Sequence, residues 1–363
     1  MPSASDVSSH RPGLRGALTS LRGNRPFQWL WFSNVFFFGG VWTQTLVLGW
    51  LAFELTHSEF LVAVFTAARL APMFLGPVAG AFADRHNRVR LLVVACAWAT
   101  GAGTAVAALA TADLLPYWVL VVGGLAIGLA QSPAWYGLSL LMLLPLRGYG
   151  KVVHDQAQSV RAMVVGGLRI IARSRLAVAV LVVTLAANTL LWPVYQAFMP
   201  VFAEESLGLD AAGLGALLTC SGIGGLVGSL VIAGMGDFPY KGGVFVFGTT
   251  VWAALWAVFA LSRTVSLSFA LMCFIGLTSA AFGVLQTTLL LLTTDPAVHG
   301  RALGLQELCI GVMPVATLVL GATAERAGVA RTVFCAALLL VCGLGVLALR
   351  VPALLTFSGR RTP

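Results

Sequence analysis

Between Phe60 and Ala112 the chain reads FLVAVFTAARLAPMFLGPVAGAFADRHNRVRLLVVACAWATGAGTAVAALATA. Two apolar runs flank one short polar turn, Asp84-Arg85-His86-Asn87-Arg88-Val89-Arg90. About twenty residues of helix, at 1.5 Å each, match a hydrocarbon core of roughly 30 Å. A helix satisfies its own backbone hydrogen bonds and so tolerates that environment. The stretch therefore predicts a pair of membrane-crossing helices joined by a basic turn.

The same pattern repeats in both directions. The first span is predicted over Phe27–Phe53, the second over Phe60–Ala83, the third over Leu91–Ala112 and the fourth over Tyr117–Ala134. A short apolar piece, Tyr136–Leu146, is too short to cross. Six more spans follow at Leu176–Met199, Ala211–Met235, Val244–Leu261, Ser266–Leu292, Leu303–Ala322 and Thr332–Leu349. Composition agrees. Hydrophobic residues are 59% of the chain and charged residues 10%, against roughly 25% charged in a soluble domain. So few charges cannot cover a water-exposed surface.

The net charge of +9 sits in tails and connections. On a polytopic protein that pattern orients the chain on an anionic membrane surface, and no nucleic-acid partner is expected. Basic residues crowd the N-terminal tail, the 84–90 turn and the stretch Arg147–Arg175, whereas the connections near Glu54, Asp113 and Glu204–Asp210 have none. Basic connections stay in the cytoplasm, so a multi-pass protein of the cell's inner (plasma) membrane is expected, with both termini in the cytoplasm. Arg147–Arg175 lies inside only if an even number of spans precedes it. The expected layout is a cytoplasmic tail (1–26), an N-terminal bundle of four spans (27–146), a cytoplasmic connection (147–175), a bundle of six spans (176–350) and a second tail (351–363).

The turn after the second span carries a further signal. Gly80, Asp84, Arg85, Arg88 and Arg90 resemble the loop signature of the major facilitator superfamily between its second and third helices. Asn87 stands where that family usually has Gly, and Asn tolerates the left-handed backbone the turn needs. Trp50–Thr56, the run Ala68–Pro72 and Gly300-Arg301-Ala302 are similar to the subgroup of drug and siderophore exporters that includes the enterobactin exporter. Gly234-Met235-Gly236-Asp237 resembles a degenerate repeat of the loop signature, without its Arg cluster. The family has twelve helices in two halves of six. The resemblance breaks after Ser132-Pro133-Ala134, which implies that one helix pair of the first half is missing. The expected fold is an all-α, major-facilitator-type bundle of about ten spans, four plus six.

Polar residues inside spans are costly and commonly face a cavity. Arg69, deep in the second span, either lines such a cavity or makes a structural pair. Asn34, Trp42 and Gln44 in the first span have counterparts in Asn188, Trp192, Tyr195 and Gln196 of the fifth. They would line an amide and aromatic pocket or bond helix to helix. Gln131 and Gln286 are weaker cases of the same kind. Glu307 is either a proton-carrying carboxylate or the partner of Arg301. The cluster from Gly80 to Arg90 is either a conformational latch or simply a basic turn. Gly224, Gly225 and Gly228 on the sixth span read as helix-packing residues.

The six cysteines form no CxxC pair, and His10, His57, His86, His154 and His299 make no ligand cluster, so no metal or other cofactor is expected. The chain has no phosphate-binding P-loop, no HExxH and no GxSxG pattern, and an enzyme is not expected. The family resemblance implies a secondary transporter, a proton-coupled exporter of small amphipathic molecules such as drugs, siderophores or metabolites. Its partners would be a small-molecule substrate, protons and the lipid bilayer. The missing helix pair motivates the alternative of a transport-inactive remnant or a regulatory partner of an intact transporter.

Overall fold

The computed structural model describes residues 25–75, 88–128, 171–172 and 174–359. The described residues are helical throughout, with no strand. In the first part lie α1 (Arg25–Thr56), α2 (Glu59–Leu70), extended by a 3-10 turn at Ala71–Leu75, α3 (Arg88–Thr111) and α4 (Tyr117–Gly128). After the connection come α5 (Arg175–Leu190), α6 (Ala211–Met235), α7 (Lys241–Leu261), α8 (Val265–Leu292), α9 (His299–Gly311), α10 (Met313–Ala327), α11 (Val329–Arg350) and the short α12 (Pro352–Leu355).

Among the described residues, six continuous spans are long and apolar enough to cross a membrane: Arg175–Ser206, Ala211–Met235, Lys241–Leu261, Val265–Leu292, His299–Ala327 and Val329–Arg350. They fall where the last six were expected. Two details differ. The fifth span runs past Met199 to Ser206, because two π-helical turns, Val194–Phe198 and Phe202–Ser206, keep the chain coiled. Pro193 and Pro200 supply no N–H, and the wider turn accommodates the missing donor. The span His299–Ala327 is two helices joined at Val312, just before Pro314. The chain is a multi-pass membrane protein. Its exposed apolar side chains include Ile223, Leu226, Leu230 and Val231 of α6 and Leu349 of α11, a surface that suits lipid.

Helix starts are set by local chemistry. Ser58, Ser174 and Asp210 cap α2, α5 and α6 by accepting from the backbone N–H three residues on, at 3.2, 3.2 and 2.8 Å. The segment after Arg350 packs back on the start of α7. Lys241 at the start of α7 pairs with Asp237 and donates to the Phe238 and Ser358 carbonyls, both at 3.0 Å. The Gly242 N–H reaches Phe357 O at 3.1 Å.

Packing runs along α6 with α8, α7 with α8 and α11, and α2 with α4 and α10. The first of these needs glycine. A Cβ built on Gly276 of α8 would lie 1.9 Å from Ser221 O, and one on Gly224 of α6 2.0 Å from Cys273 O. The two backbones touch there, as small residues permit. The α2–α10 contact joins segments far apart in sequence. Glu325 accepts from the Ser58 hydroxyl at 3.1 Å and from the Phe60 N–H at 3.0 Å, so a carboxylate of α10 completes the N-terminus of α2.

Candidate functional site: an aromatic cavity at mid-depth

The first helices of the two groups, α1 and the fifth span, bring three aromatic rings together. Trp42 and Tyr195 meet edge to face, centroids 5.2 Å apart at 85°. Trp42 and Trp192 are 6.3 Å apart, and Trp192 stands 6.0 Å from Trp252 of α7. Such tilted and edge-on pairs suit the ring quadrupoles. Trp252 is itself stacked on Phe282 at 5.9 Å and 15°, and both are fully buried, so the wall has a rigid backing.

These rings border a cavity of about 390 Å³, within the usual range for small-molecule sites, roughly 300–1,000 Å³. Thr43 and Leu46 of α1 complete one side. Gly215, Leu218, Thr219, Ser221 and Gly222 of α6 complete another, with Ile275 and Ser279 of α8. A side chain at Gly222 would meet nothing within 4 Å, so this glycine leaves room, unlike Gly224 two positions on. Hydroxyls and ring edges supply the polarity. Among the described residues the lining includes no Asp, Glu, Lys or Arg. Counting 1.5 Å per residue, Ser221 lies about 15 Å along α6 from Ala211, and Trp252 about 16 Å along α7 from Lys241. Both are near half the thickness of a bilayer core.

Arg69 sits behind this wall. It is 6% exposed. Its Nη1 donates to Thr45 Oγ1 at 2.7 Å and its Nη2 to Gln196 Oε1 at 2.8 Å, while its Nε is buried with no partner among the described residues. Guanidinium has only donors, so Gln196 must turn its carbonyl oxygen toward it. The arginine thereby ties α1, α2 and the π-helical turn of the fifth span at one point. On its other side α4 presses close: a Cβ on Gly128 would lie 2.0 Å from Arg69 O.

Of the residues singled out in the sequence, Trp42, Trp192 and Tyr195 line the cavity. Gln196 and Arg69 bond to each other beside it. Gln44 is buried on α1 with an unpartnered amide nitrogen, and Gln286 on α8 has an unpartnered, buried Oε1, each among the described residues. Asn188 is buried, and its amide donates to Thr184 O of its own helix at 2.8 Å. Glu307 is exposed on α9, away from the lining. Asn34 lies on α1, and Arg88 and Arg90 open α3. Gly80, Asp84, Arg85 and Gln131 lie outside the described residues. The sequence reading missed Thr45, Thr219, Ser221, Trp252 and Ser279. A hydroxyl in an otherwise apolar span was the signal available for four of these, but such hydroxyls also bond back to their own helix. Thr249 and Thr317 do so at 2.6 and 2.8 Å, so the signal does not discriminate.

Comparison with known proteins adds to the geometry. A family model described as transmembrane secretion effector, MFS_3, matches residues 16–140. No curated protein matches the chain. Among solved structures, a bacterial homologue of the human lysosomal transporter Spinster, crystallised in an inward-facing and unoccupied conformation, superposes with a TM-score of 0.55 at 9% identity. The superposition covers 94% of this chain and 99% of that one. Helix order, the span pattern and this likeness together identify the architecture as the helical bundle of the major facilitator superfamily.

Proposed function

We propose that this protein is a secondary transporter of small amphipathic molecules with aromatic character, and that it exports them across the cell's inner membrane. The observation that carries the reading is the aromatic cavity at mid-depth, walled by α1 from the first group of helices and by the fifth span, α6, α7 and α8 from the second. Transporters of this architecture hold their substrate near the midplane between two helix groups and expose it to either side by rocking one against the other. The likeness to a transporter fold supports the same reading.

Direction and coupling are the finer part of the proposal. With both termini in the cytoplasm, the Glu59–Glu325 end faces outward. Its closure by the α2–α10 contact corresponds to a cavity open inward, as the Spinster homologue's inward-facing description would suggest. Glu307 is the proposed proton-carrying group, and Gly80, Asp84, Arg85, Arg88 and Arg90 the proposed inner latch.

The test is uptake into inverted membrane vesicles energised by a proton gradient, over a panel of fluorescent aromatic amphiphiles. Vesicles containing the protein should accumulate at least one member, and an uncoupler should abolish the accumulation. Behaviour identical to that of vesicles lacking the protein, over the whole panel, overturns the proposal. Reporter fusions at the N-terminus and after Leu261 check the orientation: the first should report inside, the second outside.

A further inference from the structure

We infer that the molecule this cavity takes carries an anionic group beside its aromatic body, and that Arg69 supplies the charge that selects it. The inference rests on the transport reading and deepens it.

Arg69 stands about 15 Å along α2 from Glu59, at mid-depth, and is 6% exposed. A buried cation ordinarily has a carboxylate beside it. Here both hydrogen-bonded partners, Thr45 and Gln196, are neutral. Nor is a described acid paired with it. Glu54, Glu59, Asp113, Glu204, Glu205, Asp210, Asp237, Asp295 and Glu325 lie at helix ends or in connections, and Glu307 is exposed on α9. Among the described residues the guanidinium is therefore uncompensated, with its Nε still unfilled.

The two neutral partners adjoin the cavity wall in sequence. Thr45 lies between Thr43 and Leu46 on α1, and Gln196 follows Tyr195; all three of these neighbours line the cavity. The positive charge thus lies one layer behind a wall that itself carries no charge among the described residues. In a low-dielectric setting such a charge attracts an anion and repels a cation over several ångströms. Gln196 belongs to a π-helical turn, Val194–Phe198, a local geometry frequent at functional sites. A carboxylate entering the cavity would take the place of the Gln196 carbonyl oxygen as acceptor. The aromatic body would rest among Trp42, Trp192, Tyr195 and Trp252.

Three probes with one aromatic body and different charge test this: naphthoate, naphthamide and naphthyltrimethylammonium. Their binding to the purified full-length protein in nanodiscs is read by quenching of tryptophan fluorescence. The wild type should bind naphthoate at least about tenfold more tightly than naphthamide, the effect of one partly screened charge, with the ammonium weakest. Arg69→Lys should keep that order. Arg69→Gln should lose the anion preference, with naphthoate binding falling to the level of naphthamide. Equal binding of all three probes by the wild type, a preference for the ammonium, or an anion preference that survives in Arg69→Gln overturns the inference. The wild-type ranking decides even if a variant fails to fold. Vesicle transport of other amphiphiles without anion preference in this assay sinks the inference alone. Anion-selective binding with no probe moved in vesicles sinks the transport reading alone.

Discussion

Trp42 touches two rings of the fifth span, and its loss should be felt in binding before it is felt in folding. Trp42 is only half-buried, so Trp42→Ala should weaken an aromatic ligand by about 1–2 kcal/mol, whereas Trp42→Phe should recover most of it; titration by tryptophan quenching checks both. Lys241 is the opposite case, a buried charge whose role is structural. It pairs with Asp237 and donates to two carbonyls. Lys241→Ala should lower stability by about 1–3 kcal/mol, seen as a lower thermal midpoint in detergent. Glu59 adds a pH dependence. Burial holds its carboxyl above the ordinary carboxylate range, and the neighbouring Glu325 and Glu205 carboxylates act in the same direction. Such a group keeps its proton in the folded protein at pH values where the unfolded chain has lost it. Stability is therefore greatest below the ordinary carboxylate value and declines as pH climbs through the raised one. Glu59→Gln should flatten that part of the thermal midpoint–pH curve.

At the scale of elements, the α6–α8 contact has no room for a side chain. Gly276→Val should force the helices apart at Ser221, cost about 1–3 kcal/mol and distort the cavity that Ser221 borders. A lowered thermal midpoint together with lost probe binding is the expected pair of results. The elements themselves were legible in the sequence. The expected span Ala211–Met235 has the bounds the structure gives it: Asp210 caps one end and Gly236, at φ 61°, stops the other. Lipid-facing helices are apolar all round, so length and caps alone locate them. The π-helical turns after Leu190 were not legible, since a run containing two prolines reads as the end of a helix. The cavity was half legible. Trp42, Trp192 and Tyr195 were visible as aromatic residues in corresponding first helices. The Arg69 bonds to Thr45 and Gln196 join positions 24 and 127 residues apart, and nothing local in the chain announces them. An all-apolar helix also hides its orientation, so Ser221 and Gly222 could not be told from their lipid-facing neighbours.

For the whole molecule, the transport proposed above, if it works by alternating access, requires the α2–α10 contact to break once in every cycle. Besides the Glu325 cap, worth about 0.3–1 kcal/mol at an exposed helix start, the contact includes Gly321, where an added Cβ would lie 2.2 Å from the Ala63 Cβ. A slight separation brings that pair into disulfide range. The double variant Ala63→Cys, Gly321→Cys should therefore cross-link under oxidation, stop transport and recover on reduction. Unimpaired transport by the fully cross-linked protein would mean that these helices stay together throughout the cycle. The clamp on Lys241 carries a different consequence, for the order in which the protein is made. Its acceptor on Ser358 is made 117 residues later, with α8 to α11 in between. Until then Lys241 has only its local acceptors, Asp237 and the Phe238 carbonyl, so the base of α7 receives its last bond late in synthesis.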